Sequence, residues 1–138
     1  MIRIRLRILL ATFLFVSAAS AQQVTVGAGS SWSLSNAAVD LGCSGLVISG
    51  TLNTDSAAVA QALDVNIASG GTLNGGSGTL DVTGNWDRIG AFNAGSGIVR
   101  FVDGCGTTSS TISDSNTFVC AQRSHPARRS WTGENGGC

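Results

Sequence analysis

Four cysteines carry the most versatile chemistry in this chain: Cys43, Cys105, Cys120 and Cys138. Cysteines can bind zinc, usually as closely spaced pairs that share the metal with histidines, or they can form disulfides. No two of them have the two-residue spacing of a zinc site, and His125 is the only histidine. We therefore expect disulfides and no metal site. Three pairings are open; one of them, Cys105 with Cys120, would close a loop around the segment TISDSNTF and leave Cys43 with Cys138.

A calcium site is the next chemistry to consider, at the segment GGSGTLDV, residues 75–82. It approaches the calcium-binding nonapeptide G-G-x-G-x-D, but the sixth position holds Leu80 and the acid, Asp81, comes one position late. In a strand, a slip of one position turns a side chain to the opposite face. The segment therefore predicts a structural turn. No phosphate loop or dinucleotide fingerprint occurs, so no cofactor is expected.

One cluster resembles a carbohydrate-binding platform: Trp86, Asp87 and Arg88 combine an aromatic face with hydrogen-bonding groups. These three residues are the candidate glycan contacts. The alternative is that Trp86 continues the inward series of Leu80 and Val82 and fills the core. We favour core packing for the tryptophan.

Catalytic constellations are not apparent in the sequence. A nucleophilic triad needs a histidine, and His125 precedes Pro126 in a segment without strand pattern. Paired-carboxylate hydrolysis needs two acids on one face, whereas the aspartates here are single and scattered. We expect a protein that is not an enzyme.

The elements that position these residues follow from an internal repeat. Three pairs of blocks match at a nearly constant shift: 73–82 with 92–101, 50–53 with 71–74, and 63–65 with 80–82. Within the copies, apolar and polar residues alternate as in strands with one buried face. Gly-rich segments between them predict turns. A helix fits only residues 56–63, a segment too short to be stable alone.

A repeat unit of about 19 residues cannot close a core by itself, but stacked units can. We therefore predict an all-β fold: a short β-solenoid, or β-helix, of roughly five coils between Val24 and Val119. A β-sandwich is the alternative, because its turns have similar spacing.

The runs GTLDVTGNWDRIGAFNAGSGIVRF and SSTISDSNTF resemble the repeats of bacterial secreted and surface β-helix proteins. This class includes autotransporter passengers and filamentous-haemagglutinin-like adhesins. The resemblance implies a right-handed solenoid at the cell surface, used for adhesion or as a stalk.

Residues 1–21 predict a secretory signal peptide. Three arginines precede an apolar run from Ile8 to Val16, and Ala19-Ser20-Ala21 forms a small-residue cleavage site before Gln22. The stretch from Ile8 to Ala21 is shorter than the roughly 20 residues that a helix needs to span a bilayer. The mature chain is thus expected to be exported, without a transmembrane anchor, to the periplasm, the cell surface or the medium.

Charge and composition narrow the function further. The predicted mature chain keeps five arginines against eight acidic residues, a net charge of −3. Such a chain lacks the basic clusters that nucleic-acid binding requires. Charged residues make up 12% of the whole sequence and hydrophobic residues 43%, which excludes a chain disordered over most of its length.

A basic tail at residues 120–138 follows the predicted solenoid domain at residues 22–119. The tail contains no Val, Leu, Ile or Phe and holds three of the five mature arginines. Two explanations are open: a native irregular extension tied by a Cys120–Cys138 disulfide, or a shifted reading frame near Val119 that truncates a longer surface protein.

The expected function is that of an exported, non-catalytic structural or adhesive β-helix protein. The partners to expect are cell-surface glycans or other chains of a surface assembly. The alternative is a carbohydrate-binding or polysaccharide-acting β-helix protein centred on Trp86, Asp87 and Arg88.

Export makes a direct prediction about the mature N-terminus. Expression of the full chain in a bacterial host should yield a secreted product that begins at Gln22, because cleavage follows Ala21. Intact-mass measurement and N-terminal sequencing check this. A product that retains residues 1–21 in the membrane fraction would contradict it.

Overall fold

Short strands separated by glycine-rich corners wind around a common axis, with three strands in each coil. The computed structural model describes residues 22–107 and 110–113 and the backbone of residues 121–123. The predicted signal peptide and most of the predicted tail lie outside these residues. The strands are β1 (Gln23–Val26), β2 (Ser31–Ser33), β3 (Ala38–Asp40), β4 (Gly45–Ile48), β5 (Thr51–Asn53), β6 (Ala58–Ala62), β7 (Val65–Ile67), β8 (Thr72–Asn74), β9 (Thr79–Val82), β10 (Trp86–Arg88), β11 (Ala91–Asn93), β12 (Ile98–Phe101), β13 (Ile112–Ser113) and β14 (Ala121–Arg123).

Three parallel sheets run along the stack, and each takes one strand from each coil. The first sheet has the order β1-β4-β7-β10-β13, the second β2-β5-β8-β11 and the third β3-β6-β9-β12-β14. All eleven pairs of described strands are parallel. The predicted all-β solenoid is confirmed, with four complete coils (β1–β3 to β10–β12) and two strands of a fifth. The sandwich alternative is wrong, because sandwich sheets pair antiparallel strands.

The strand register explains two of the three block matches. The match of residues 73–82 with 92–101 places Leu73 beside Phe92, and the match of 50–53 with 71–74 places β5 beside β8. In these two matches the shift is therefore the length of a coil. The third match is wrong as a register, because Val65 pairs with Trp86 in the first sheet while residues 80–82 belong to the third.

The inward side chains of the three sheets form one continuous apolar core. Parallel strands in register place equivalent residues one above another, so the core consists of columns. The column of the second sheet contains Leu52, Leu73 and Phe92, and ends at Trp32, which is 43% exposed on coil 1. The buried core residues are Val26, Leu46, Ile48, Leu52, Ala57, Val59, Ala62, Val65, Ile67, Leu73, Leu80, Val82, Trp86, Val99, Phe101 and Ile112.

The segment at residues 56–63 contains strand β6 and not a helix. β6 pairs with β3 on one side and with β9 on the other, so neighbouring coils satisfy its backbone. The register shifts between Val59 and Ala62, where Gln61 has a φ of 56°. This β-bulge leaves Val59 and Ala62 buried. The helical alternative is therefore wrong.

Strand pairing continues beyond residue 119, where the sequence predicts a boundary. β14 pairs with β12, with Ala121 beside Val99 and Arg123 beside Phe101. A strand does therefore follow the predicted end of the repeat, although the composition of the tail gives no sign of it.

Glycines line the corner between the first and second sheets because successive coils approach closely there. A Cβ atom at Gly50 would meet the carbonyl oxygen of Gly27, and one at Gly71 that of Ile48. A Cβ at Gly90 would meet the carbonyl oxygen of Gly71 in the same way. No larger residue fits this column without moving the backbone.

Substitution of glycines should show whether the close approach of the backbones at this corner, and not the loss of a glycine in general, destabilises the fold. Gly71→Ala should lower the free energy of unfolding by roughly 1–3 kcal/mol, because the new methyl group meets backbone. Gly27→Ala is the matched control, since the nearest atom to its Cβ is Ser30 Oγ at 3.8 Å. Urea unfolding of both variants measures the difference. Equal effects would contradict the corner geometry.

Candidate functional site

A disulfide joins Cys43 to Cys105, residues 62 apart in sequence whose Cα atoms are 5.4 Å apart. Cys43 lies on the corner between β3 and β4, and Cys105 on the corner between β12 and β13. Coils stack about 4.8 Å apart, so these corners lie three steps, or about 14 Å, apart along the axis. The corner that carries Cys105 must therefore reach back across coils 2 and 3, and the bridge ties the first complete coil to the last.

Corners of unequal length make this crossing possible. The equivalent corners of coils 2 and 3 are short, residues 63–64 and 83–85, whereas the corner that carries Cys105 spans residues 102–111. Thr107 Oγ1 donates a hydrogen bond to the carbonyl oxygen of Thr83, which holds the long corner against coil 3. The long corner thus folds back over the short ones.

The pairing corrects one expectation from the sequence. Cys105 does not pair with Cys120, because the corner that carries Cys105 turns back toward coil 1. Both Cys43 and Cys105 have left-handed backbone, with φ values of 64° and 53°. Cys120 and Cys138 lie outside the described residues, and their disulfide stays a prediction.

Trp86 lies in the core, as the core-packing alternative predicts. Its side chain is 0% exposed and meets the ring of Phe92 edge to face, with centroids 5.1 Å apart. A sugar stacks on an open aromatic face, and this ring presents none. A glycan-stacking role for Trp86 is therefore wrong.

The structure does not combine Asp87 and Arg88 with an exposed ring. Asp87 is partly buried and accepts a hydrogen bond from Asn66 Nδ2 at 3.1 Å. Arg88 is also partly buried and lies beside Ile67 in the register, a position of inward-facing residues. The two side chains thus stand at positions of opposite orientation on β10.

The calcium-like segment forms a turn and a strand, as expected. Gly76 has a φ of 54° at the corner, and β9 follows. Asp81 receives two hydrogen bonds of 2.6 Å from Nε and Nη2 of Arg100 on the next coil. These hydrogen bonds raise the pKa of Arg100. The carboxylate thus serves a coil-to-coil ion pair.

The outer side of the second sheet carries a regular array of uncharged residues, which we call the Asn face. Its four strands pair without a register shift. The first and third residue of each strand point outward, so the array has two columns. Its members are Ser31, Ser33, Thr51, Asn53, Thr72, Asn74, Ala91 and Asn93.

Three asparagines of this face form a hydrogen-bonded ladder. Asn93 Nδ2 donates to Asn74 Oδ1, and Asn74 Nδ2 donates to Asn53 Oδ1, each at 2.7 Å. An amide has two N–H groups and two acceptor positions on oxygen. The ladder uses one of each on Asn74 and leaves the others for a ligand or water.

Asp55 adjoins the Asn face at the corner between the second and third sheets. Its carboxylate accepts hydrogen bonds from Ser33 Oγ and, at 3.0 Å, from Ser35 Oγ. These bonds to the charged form, that from Ser33 first, lower the pKa of Asp55. The carboxylate is therefore held ionised beside an otherwise neutral surface.

The described residues present hydrogen-bonding groups on the outer side of the second sheet. They contain no cluster of three or more His, Cys, Asp or Glu side chains able to hold a metal ion. A cavity near Leu73 and Phe92 measures about 10 Å³, room for at most one water molecule. Within the same part of the chain, no helix is long and apolar enough to cross a bilayer. His125 lies outside the described residues.

The sequence contained a signal for the Asn face that its interpretation missed. The block matches align Asn53 with Asn74 and Asn74 with Asn93. These asparagines precede Gly-rich or polar turns, and asparagine is common in turns. Their place as the last residue of each strand makes them a column of the sheet.

Comparison with known proteins found no matching family model, no matching curated protein and no matching solved structure. The site must therefore be interpreted from its own geometry.

The disulfide should stabilise the stack strongly. Closure of a 62-residue loop reduces the entropy of the unfolded chain, so Cys43→Ser/Cys105→Ser should lower the free energy of unfolding by about 4 kcal/mol. Denaturant unfolding under oxidising conditions measures it. Cys120→Ser/Cys138→Ser is the matched control and should preserve the stability of the four coils. A larger loss in the control would contradict this account.

The serines beside Asp55 should set its titration. Ser33→Ala/Ser35→Ala should raise the pKa of Asp55 toward its ordinary value, because the charged form loses two donors. In the parent chain this contribution to stability is present above the ordinary pKa and is lost as pH falls through the lowered one. NMR titration of the Asp55 carboxyl carbon measures the shift. Ser96→Ala, on the equivalent corner of coil 4, should leave it unchanged.

Proposed function

We propose that this protein is an exported, non-catalytic β-solenoid that acts outside the cytoplasm as a rigid spacer with an adhesive surface. Its partners would be cell-surface glycans or other chains of a surface assembly. The main support is the Cys43–Cys105 disulfide, which ties coil 1 to coil 4. Disulfides persist in oxidising compartments, which fits the predicted signal peptide.

A spacer must resist separation of its coils, and several contacts serve that need. The disulfide carries load directly between the end coils. Polar side chains add bonds between neighbouring coils: Asn66 with Asp87 on the first sheet, and Asp81 with Arg100 on the third. Because Arg100 is 41% exposed, the ion pair contributes at most about 1 kcal/mol.

The absence of catalysis is part of the proposal, and the use of the aspartates supports it. The carboxylates of three described aspartates are used singly: Asp55 binds serines, Asp81 binds Arg100 and Asp87 binds Asn66. A paired acid and base for glycoside cleavage would need two carboxylates facing one substrate.

Fractionation with redox analysis tests the proposal. The full chain, expressed with its own leader in a bacterial host, should appear in the periplasm or medium with Cys43 and Cys105 protected from maleimide before reduction. The purified product should release no reducing ends from cellulose, chitin or pectin, and should retain cells or cell-wall fragments on coated beads. A reduced cytoplasmic protein, or one that cleaves any of these polymers, would overturn the proposal.

A further inference from the structure

We infer that the Asn face is the adhesive surface of this protein and that its ligand is an extended, uncharged polysaccharide chain lying along the stack. The inference rests on the proposed function and gives its adhesive surface a location and a ligand class. It replaces the Trp86-centred platform with a face on the second sheet.

Regular spacing distinguishes this face from the outer side of the third sheet. Outward residues recur about 4.8 Å apart from coil to coil and about 6.6 Å apart within each strand. The pairing of the second sheet is unbroken over four strands, whereas the third sheet contains the bulge at Gln61. A polymer with a regular repeat can therefore meet equivalent groups on each coil.

The hydrogen-bonding groups of the face suit sugar hydroxyls. The asparagine ladder fixes the amide planes of Asn53, Asn74 and Asn93, so little side-chain entropy is lost when a ligand binds. Each amide can still donate and accept. Thr51 and Thr72 form the neighbouring column and add hydroxyl groups. A hydroxyl-rich chain offers both donors and acceptors to such a surface.

Charge selects the class of polysaccharide. All eight members of the Asn face are uncharged, and the nearby carboxylate of Asp55 would repel an acidic polymer. The outer sides of the other sheets carry charges at Asp87, Asp81 and Arg100. A uronic acid polymer or a sulfated polymer would bury an unpaired charge against this face. A neutral chain would not.

Placement of one arginine on either of two sheets provides the test. Thr72 and Thr79 are the first residues of β8 and β9 in the same coil, both partly buried and outward-facing. Thr72→Arg places a long cation on the Asn face, and Thr79→Arg places it on the third sheet. Thr72→Val removes only the hydroxyl and serves if the arginine variant does not fold.

Titration calorimetry measures the binding of the full chain to cellohexaose, chitohexaose and hexagalacturonate. A hexasaccharide is longer than the span of the face, about 14 Å over three coil steps. We expect a neutral hexasaccharide to bind, Thr72→Arg to weaken it at least about tenfold, Thr72→Val to weaken it about threefold, and Thr79→Arg to leave it unchanged.

Three results would overturn the inference: binding of neither neutral hexasaccharide, tighter binding of hexagalacturonate, or equal losses in Thr72→Arg and Thr79→Arg. Circular dichroism of each variant confirms that it folds. Export, maleimide protection and release of reducing ends are measured on the same preparations. A parent chain that is exported and oxidised, releases no sugar and retains cells, yet fails this binding test, refutes the Asn face and leaves the proposed function standing.

Discussion

Backbone hydrogen bonds between residues one coil apart are the interaction on which the rest of this structure depends. They hold three parallel sheets in register, and every inward column of the core follows from that register. The constraint is strict where coils come closest. Gly50, Gly71 and Gly90 stand at one corner because a side chain there would push neighbouring backbones apart. Contacts between side chains of neighbouring coils form on this backbone framework.

The same register turns single residues into repeated surfaces. Asn53, Asn74 and Asn93 are far apart in sequence, yet stacking makes them one ladder of amides. Asp81 and Arg100 meet for the same reason. The Cys43–Cys105 bridge depends on stacking in a different way, since it needs short corners in coils 2 and 3 and a long one after coil 4. A rigid clamped body with a regular neutral face is the physical basis of the proposed spacer and its adhesive surface.

Much of the fold could be predicted from the sequence, because strands and turns leave local patterns. Alternation and the matching blocks identified the stack, and the inward series placed Trp86 in the core. The failures involve non-local geometry. The pairing of Cys105 depends on the direction of a long corner. The bulge at Gln61 interrupts the alternation in residues 56–63, the one segment where a short helix was left open. The Asn face was missed because asparagine before a Gly-rich or polar segment is also typical of a turn.

Disulfide mapping tests the stacked, clamped architecture most directly, since Cys43 and Cys105 meet only if the intervening coils stack. Cleavage of the unreduced protein before aspartate separates the relevant cysteines: residues 40–54 hold Cys43, residues 103–113 hold Cys105, and the peptide that begins at Asp114 holds Cys120 and Cys138. Mass spectrometry should find the first two peptides linked to each other and released together on reduction. A link from residues 103–113 to the peptide that begins at Asp114 would contradict the architecture.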